Sequence, residues 1–235
     1  FVYYETLKNR YPNVRILTWK KEFNYSAINN FAVREARGEY LLFLNNDVEI
    51  ITESWLEEML QLCQQKDVGM AGAKLYYPDD TIQHAGVVVG LGGVAAHVLC
   101  KLPRDAEGYM GRLRCVQEIS AVTAACMMVK TSVFKAVGGF DEELKVAFND
   151  IDLCMKVRKY GVKIVFTPYA ELYHYESKSR GMEDTPEKQL RFSREVNCFR
   201  RKWERELLKG DPYYNPNLTL NNTDCSLRKQ EKNGD

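Results

Sequence analysis

The most distinctive feature of the hydrophobic pattern is a run of apolar residues, 40–44, that follows Gly38 and stops abruptly at polar residues. An uninterrupted apolar run of this length after a turn residue is typical of a strand that is buried on both faces. Asn45, Asn46 and Asp47 come next. Because ligands bind just beyond the carboxyl ends of strands in open α/β sheets, we expect Asp47 to present its carboxylate to a hard cation or a metal-bound diphosphate. A plain polar turn is the alternative, since these residue types favour turns.

The rest of the pattern alternates between helical periodicity and short apolar runs. Helices are predicted over 1–11, 24–37, 54–65, 131–137, 149–160 and 186–209, and strands over 14–18, 40–44, 68–76, 121–130, 163–166 and 171–173. Glycine-interrupted β-structure is predicted for 82–98. This alternation indicates an α/β fold in which helices flank a mixed, mostly parallel sheet. We expect one domain over 1–210 and an irregular tail over 211–235.

Composition narrows the class of protein. The chain has 235 residues, of which 45% are hydrophobic, and 33 basic residues balance 32 acidic ones to a net charge of +1. This balance gives no electrostatic case for a nucleic-acid partner. The seven cysteines form no Cys-x-x-Cys pair, which favours reduced thiols in a cytoplasmic protein. The apolar run over 85–100 is too short and too rich in glycine for a membrane span.

A pair of carboxylates, Asp150 and Asp152, lies at the start of a predicted helix. Aspartate commonly caps helices, so capping is one interpretation. Residues two apart do not share a helix face, so only one of the two can serve that role while the other points elsewhere. A carboxylate that faces a cleft is suited to act as a general base.

Histidines and a polar loop complete the candidates. His174 ends a short predicted strand, again at a rim, although a structural histidine is the ordinary case. His84 and His97 lie among small apolar residues and are weaker candidates, with spacing unlike local zinc motifs. The loop 177–181 contains Arg180 and a glycine, which suits a lid over a phosphate; an ordinary solvated loop is the alternative.

In their order and spacing these segments together resemble the family-2 glycosyltransferases of the GT-A fold, from Tyr11 to about Leu220. The motifs that carry the resemblance are the helix 24–30, Gly38-Glu39-Tyr40 with Leu44-Asn45-Asn46-Asp47, Gly138-Gly139-Phe140-Asp141-Glu142, Asn149-Asp150-Ile151-Asp152, and Tyr173-His174-Tyr175-Glu176-Ser177. The match is closest to bacterial members that build O-antigen or other surface polysaccharides, including rhamnosyltransferase-like enzymes.

The resemblance implies roles for individual residues. Asp47 and His174 take the places of the ligands to Mn²⁺ or Mg²⁺ on the donor diphosphate, and Asp150 takes the place of the catalytic base. On the donor side we expect Asn30, Asn45, Asn46 and Arg180, and on the acceptor side Asp152 and His84. The implied reaction is inverting, metal-dependent transfer of a sugar from a UDP or dTDP donor to a saccharide or lipid-linked acceptor.

Two departures from the family pattern lead to further expectations. The family usually has an acidic residue where Asn149 precedes the base. The strands that hold the nucleotide in the family precede the region matching Phe1, so the domain is expected to be N-terminally truncated. A sheet without those strands exposes an edge, which predicts self-association or a homodimer. A location at the inner face of the membrane, with peripheral association, is left open.

Two other functions compete with this interpretation. A non-catalytic remnant of such a domain would bind a saccharide or a partner without turnover. Nucleotidyl transfer also uses metal-bound carboxylates on α/β sheets, and product analysis separates it from glycosyl transfer.

Overall fold

The computed structural model describes residues 2–176 and 185–229. The helices are α1 Val2–Arg10, α2 Tyr25–Glu35, α3 Trp55–Cys63, α4 Thr131–Ala136, α5 Asn149–Tyr160, α6 Pro186–Lys202 and α7 Glu204–Lys209. The strands are β1 Tyr40–Leu44, β2 Val48–Ile50, β3 Val68–Tyr76, β4 Ile82–His84, β5 Val87–Val89, β6 Ala95–His97, β7 Gln117–Glu118, β8 Cys126–Lys130 and β9 Lys163–His174.

The central sheet has the order β1-β8-β3-β9-β2, with β4 beside β3 and β7 beside β9. The mixed α/β architecture is as predicted, but the expectation of a mostly parallel sheet is wrong. In the described residues, β3 and β9 form the parallel pair of this sheet, and its other pairs are antiparallel. Strand β3, which follows helix α3, runs in the same direction as β1. However, β8 lies between these two strands and runs in the opposite direction.

Strand β3 is buried along its whole length because layers of side chains cover both faces of the sheet. Trp55, Met59 and Leu62 of α3 cover one face. The larger core on the other face includes residues of α4, α5 and α6. The approach is closest at Gly72, where an added Cβ would lie 2.3 Å from the side chain of Val122. The small residues of β3 therefore permit this packing.

Several other elements of the structure differ from those predicted. Residues 14–18 alternate in sequence but form no strand, and α1 buries none of its residues. The two short strands predicted around Pro168 are one strand, β9. Residues 211–229 form no helix and no named strand, yet Tyr214, Leu218 and Cys225 are buried in the main core. No helix in the part of the chain that the structure describes is long and apolar enough to cross a membrane.

Candidate active site

The polar turn Asn45–Asp47 connects β1, at one edge of the sheet, to β2, at the other. Backbone hydrogen bonds hold both ends of this turn. The Asn45 N–H donates to the Ala125 carbonyl at 3.0 Å, and the Tyr175 N–H donates to the Asp47 carbonyl at 2.8 Å. Asp47 is thus fixed beside the end of β9, where the chain also places His174.

Asp47 and His174 meet as the sequence motifs imply. The Asp47 Oδ1 lies 3.3 Å from the His174 Nε2, and the two side chains are 15% and 11% exposed. The His174 Nδ1 lies 2.7 Å from the Gln83 Oε1, which can only accept a hydrogen bond. In the neutral ring the proton is therefore on Nδ1, and the lone pair of Nε2 faces Asp47.

These two groups fit a divalent cation. The Asp47 Oδ1 is buried and has no hydrogen-bond partner, which is costly for a carboxylate unless something positive compensates it. The Asn45 amide donates to the His174 Nε2 at 3.2 Å, so a cation bound there would displace this contact. Carboxylate oxygen and neutral imidazole nitrogen are ordinary ligands of Mn²⁺. Within residues 2–176 and 185–229 no group of three or more His, Cys, Asp or Glu side chains could hold a metal, so further ligands would come from a diphosphate or water.

Asp150 lies in the first turn of α5, half-buried, and is held in a fixed orientation. Its Oδ2 accepts from the Ala124 N–H at 3.1 Å, and its Oδ1 accepts from the Ile151 N–H at 2.8 Å. Two backbone donors of this kind fix the direction of the carboxylate. Burial raises the pKa of the neighbouring Tyr25, and the charge of Asp150 raises it further.

The segment 123–125 connects the two carboxylates. The Ala124 N–H binds Asp150, while the Ala125 carbonyl binds the backbone of Asn45 in the turn that carries Asp47. The Tyr25 hydroxyl donates to the Ala124 carbonyl at 3.2 Å. One short backbone stretch before β8 therefore links the turn that carries Asp47 to helix α5, which carries Asp150.

A pair of histidines, the buried His84 and the half-buried His97, lies behind this segment. The His84 Nδ1 is 3.0 Å from the His97 Nδ1, and the Thr123 N–H donates to the His84 Nε2 at 3.4 Å. The pKa of His84 is held well below its ordinary value by burial first and then by His97 and His174. His84, expected on the acceptor side, is fully buried and its ring nitrogens are engaged, so the structure gives it a supporting position.

The structure also places other predicted residues away from this site. The Asn30 amide donates to the Phe140 carbonyl and accepts from the Phe140 N–H, so it anchors the loop 138–142 and does not point toward a donor. The expectation for Asp152 is also wrong, because its carboxylate is fully buried between Lys202, Lys156 and Trp203.

Asn46 and Arg180 are the remaining donor-side candidates. Asn46 is exposed at the turn. Arg180 lies outside the described residues.

Sequence reasoning missed Gln83, Tyr25 and the backbone of Ala124. Gln83 is a polar residue within the β-structure predicted for 82–98, and that signal was available. The contacts of Ala124 are made by its backbone and leave no signal in side-chain chemistry.

Solved structures share this fold. A mannosyltransferase from Pyrobaculum calidifontis, in complex with GDP-Man and Mn²⁺, aligns over 86% of this chain and 50% of its own, with a TM-score of 0.57 and 14% identity. GalNAc-T7, with UDP, GalNAc and Mn²⁺, aligns over 87% of this chain and 39% of its own, with a TM-score of 0.62 and 13% identity. The mixed sheet and its flanking helices thus have the GT-A fold of these structures.

The family follows from the sequence. The model described as "Glycosyltransferase like family" matches residues 12–195, and the chain belongs to this family of family-2 glycosyltransferases.

The curated relatives are much longer proteins. The chain is 56% identical to the uncharacterized protein y4gI of Sinorhizobium fredii, over 91% of this chain and 24% of the relative. It is 42% identical to the O-antigen biosynthesis protein RfbC of Myxococcus xanthus, over 95% of this chain and 17% of the relative. The chain thus spans a quarter or less of the length of these relatives.

Proposed function

We propose that this domain transfers a sugar, with inversion, from a UDP- or dTDP-sugar to a saccharide or lipid-linked acceptor in surface polysaccharide synthesis. The observation that carries the proposal is the buried Asp47 Oδ1, which has no hydrogen-bond partner and lies 3.3 Å from the His174 Nε2. The name of the Myxococcus relative supports the polysaccharide context. The titles of the two structural neighbours support a nucleotide-sugar donor with Mn²⁺.

In this proposal Asp47 and His174 hold Mn²⁺ or Mg²⁺ and orient the donor diphosphate. The cation, when bound, supplies positive charge that stabilises the leaving diphosphate. Asn45 fixes the backbone of the turn and keeps the His174 ring in place before the donor arrives.

Asp150 is the base of the proposed reaction. Its carboxylate accepts the proton of an acceptor hydroxyl while that oxygen forms a bond to the anomeric carbon. The bond from the anomeric carbon to the diphosphate oxygen breaks, and the nucleoside diphosphate leaves with the electron pair. A single displacement inverts the anomeric configuration.

Replacement of the base tests the assignment. In the full-length protein, Asp150→Asn is expected to lower transfer by about 100- to 10,000-fold, the contribution typical of a general base. The affinity for UDP or dTDP with Mn²⁺ is expected to stay within about twofold of the wild type, because Asp150 does not contact Asp47 or His174. The exposed Glu57 of α3 offers a matched control, Glu57→Gln, which should leave both quantities unchanged. An active Asp150→Asn variant would refute the base assignment.

Location and self-association belong to the same proposal. The seven cysteines are free thiols, which supports a cytoplasmic location. In the described residues β1 pairs with β8 on one side only, which supports pairing of this edge with a second copy. A monodisperse monomer in light scattering at high concentration would count against the homodimer.

A further inference from the structure

The loop that precedes the base helix is held by contacts from two other helices. From α2, the Tyr25 N–H donates to the Lys145 carbonyl at 2.8 Å, and the Ser26 hydroxyl donates to the Leu144 carbonyl at 2.5 Å. From α6, the carboxylate of Glu195 reaches the next two residues, Val146 and Ala147.

Glu195 makes these contacts from a buried position. Its Oε1 accepts from the Val146 N–H at 2.9 Å, and its Oε2 accepts from the Ala147 N–H at 3.0 Å, while the residue is only 3% exposed. Arg191, one turn earlier on α6, lies 3.6 Å from the same carboxylate. A buried carboxylate that receives two backbone donors is strongly oriented, and its loss leaves both donors unpaired.

The residue between this contact and the base helix has an unusual backbone. Phe148 has φ 61° and ψ 4°, a left-handed conformation that is costly for a bulky residue. Its ring packs against Phe192 and Phe199 of α6, with centroid distances of 5.7 and 5.4 Å. Helix α6 thus contacts each of the three residues 146–148 that directly precede α5.

We propose that Glu195 is a positioning residue that sets the direction of the Asp150 carboxylate. This inference rests on the proposed role of Asp150 as the base. By fixing the amides of Val146 and Ala147, Glu195 makes the strained turn at Phe148 persist. That turn aims the first turn of α5 at Ala124.

The amide of Ala124 reports on this role without any need for turnover, because it donates directly to the Asp150 Oδ2. In Glu195→Gln one of the two carboxylate oxygens becomes an amide nitrogen that cannot accept. We expect the Ala124 N–H resonance to move toward its position in Asp150→Asn and its hydrogen exchange to accelerate at least tenfold. The exposed Glu187 on the same helix provides the control, since Glu187→Gln should leave the Ala124 resonance unchanged.

Kinetics give the second readout. A displacement of about 1 Å at a reacting group costs about 100-fold in rate, so Glu195→Gln should lower kcat by up to that factor. The affinity for UDP with Mn²⁺ should not change. If the glutamine variant does not fold, Glu195→Asp keeps the charge but is one methylene too short to hold both amides, and it should show the same direction of change.

The outcomes separate this inference from the proposed function. An unchanged Ala124 amide, with altered amides only at Val146 and Ala147, would mean that Glu195 holds the loop without directing Asp150, and would overturn the inference. A fall in nucleotide affinity as large as the fall in kcat would overturn it too, because that pattern reflects a general loss of structure. An Asp150→Asn variant that remains active would instead refute the base assignment, whatever the behaviour of Glu195.

Discussion

Gln83 accepts a hydrogen bond from the Nδ1 of His174 at 2.7 Å, and its amide nitrogen donates back to the His174 carbonyl at 3.2 Å. This reciprocal pair fixes the ring orientation and, in the neutral ring, places the proton on Nδ1. A neighbour that orients a metal-binding histidine in this way commonly contributes 10- to 100-fold to metal affinity.

Gln83→Leu therefore tests the proposed role of His174 without altering Asp47 or His174 themselves. The leucine fills a similar volume but cannot accept from Nδ1, so we expect the Kd for Mn²⁺ to rise by about 10- to 100-fold. The measurement is calorimetric titration of Mn²⁺ in the presence of UDP. Gln61→Leu, at an exposed position on α3, is the control. A Gln83→Leu affinity within twofold of the wild type would show that this hydrogen bond does not tune the site.

The protein should become less stable as the pH decreases, because of the buried histidine His84. Its pKa is depressed in the folded protein, so the unfolded chain binds the extra proton as pH drops below about 6.5. The stabilising contribution of neutral His84 is thus complete above pH 6.5 and is lost as pH falls from there toward the folded-state pKa. The expected slope is up to about 1.4 kcal/mol per pH unit.

Urea unfolding between pH 5 and pH 7.5 measures this slope. The variant His84→Gln should be less stable at pH 7.5 but should show a flatter dependence on pH in this window. An equally steep dependence in the variant would mean that other groups are responsible.

Asp152 is expected to matter for stability. Its buried carboxylate lies 2.8 Å from Lys202 Nζ and 3.4 Å from Lys156 Nζ, and it accepts from the Trp203 indole at 2.8 Å. Asp152→Asn removes the charge that Lys156 and Lys202 share, while Lys202 keeps its ion pair with Asp141 at 2.5 Å. Because Lys202 keeps this partner and is about one-third exposed, we expect a loss of about 2–3 kcal/mol in the free energy of unfolding, less than the loss of about 3–5 kcal/mol typical of a broken buried pair.

The matched control for Asp152 is an exposed ion pair. Asp67 lies 2.8 Å from Lys163 at the surface, where solvent screens the pair, so Asp67→Asn should cost much less stability than Asp152→Asn. Equal losses for the two variants, measured by urea unfolding, would contradict the structural role of Asp152.

The motifs of the resemblance imply that Asp47 and His174 meet, and local rules agree with this. Asp47 and His174 each come at the end of a strand, and strand ends that lie at the same rim bring such residues together. The argument that two carboxylates two residues apart cannot share a helix face is also confirmed, since Asp150 points toward Ala124 and Asp152 points into the core.

The failures of prediction arise from contacts between distant parts of the chain. Asn30 is a polar residue on a helix, and nothing nearby in sequence reveals that it binds the loop at Phe140, 110 residues away. The direction of β8 depends on long-range pairing with β1 and β3, which local periodicity does not encode. Glu195 is one of many charged residues on a long helix, and nothing in the sequence distinguishes it from its exposed neighbours, although it is buried.

The most direct test of the central claim is calorimetric titration of the protein with UDP and dTDP, with and without Mn²⁺, for the wild type and Asp47→Asn. We predict binding that depends on Mn²⁺ in the wild type, a loss of at least tenfold in affinity for Asp47→Asn, and wild-type affinity for Glu57→Gln. Binding of either nucleotide that is equally strong without Mn²⁺, or that Asp47→Asn leaves intact, would contradict a cation site at Asp47 and His174.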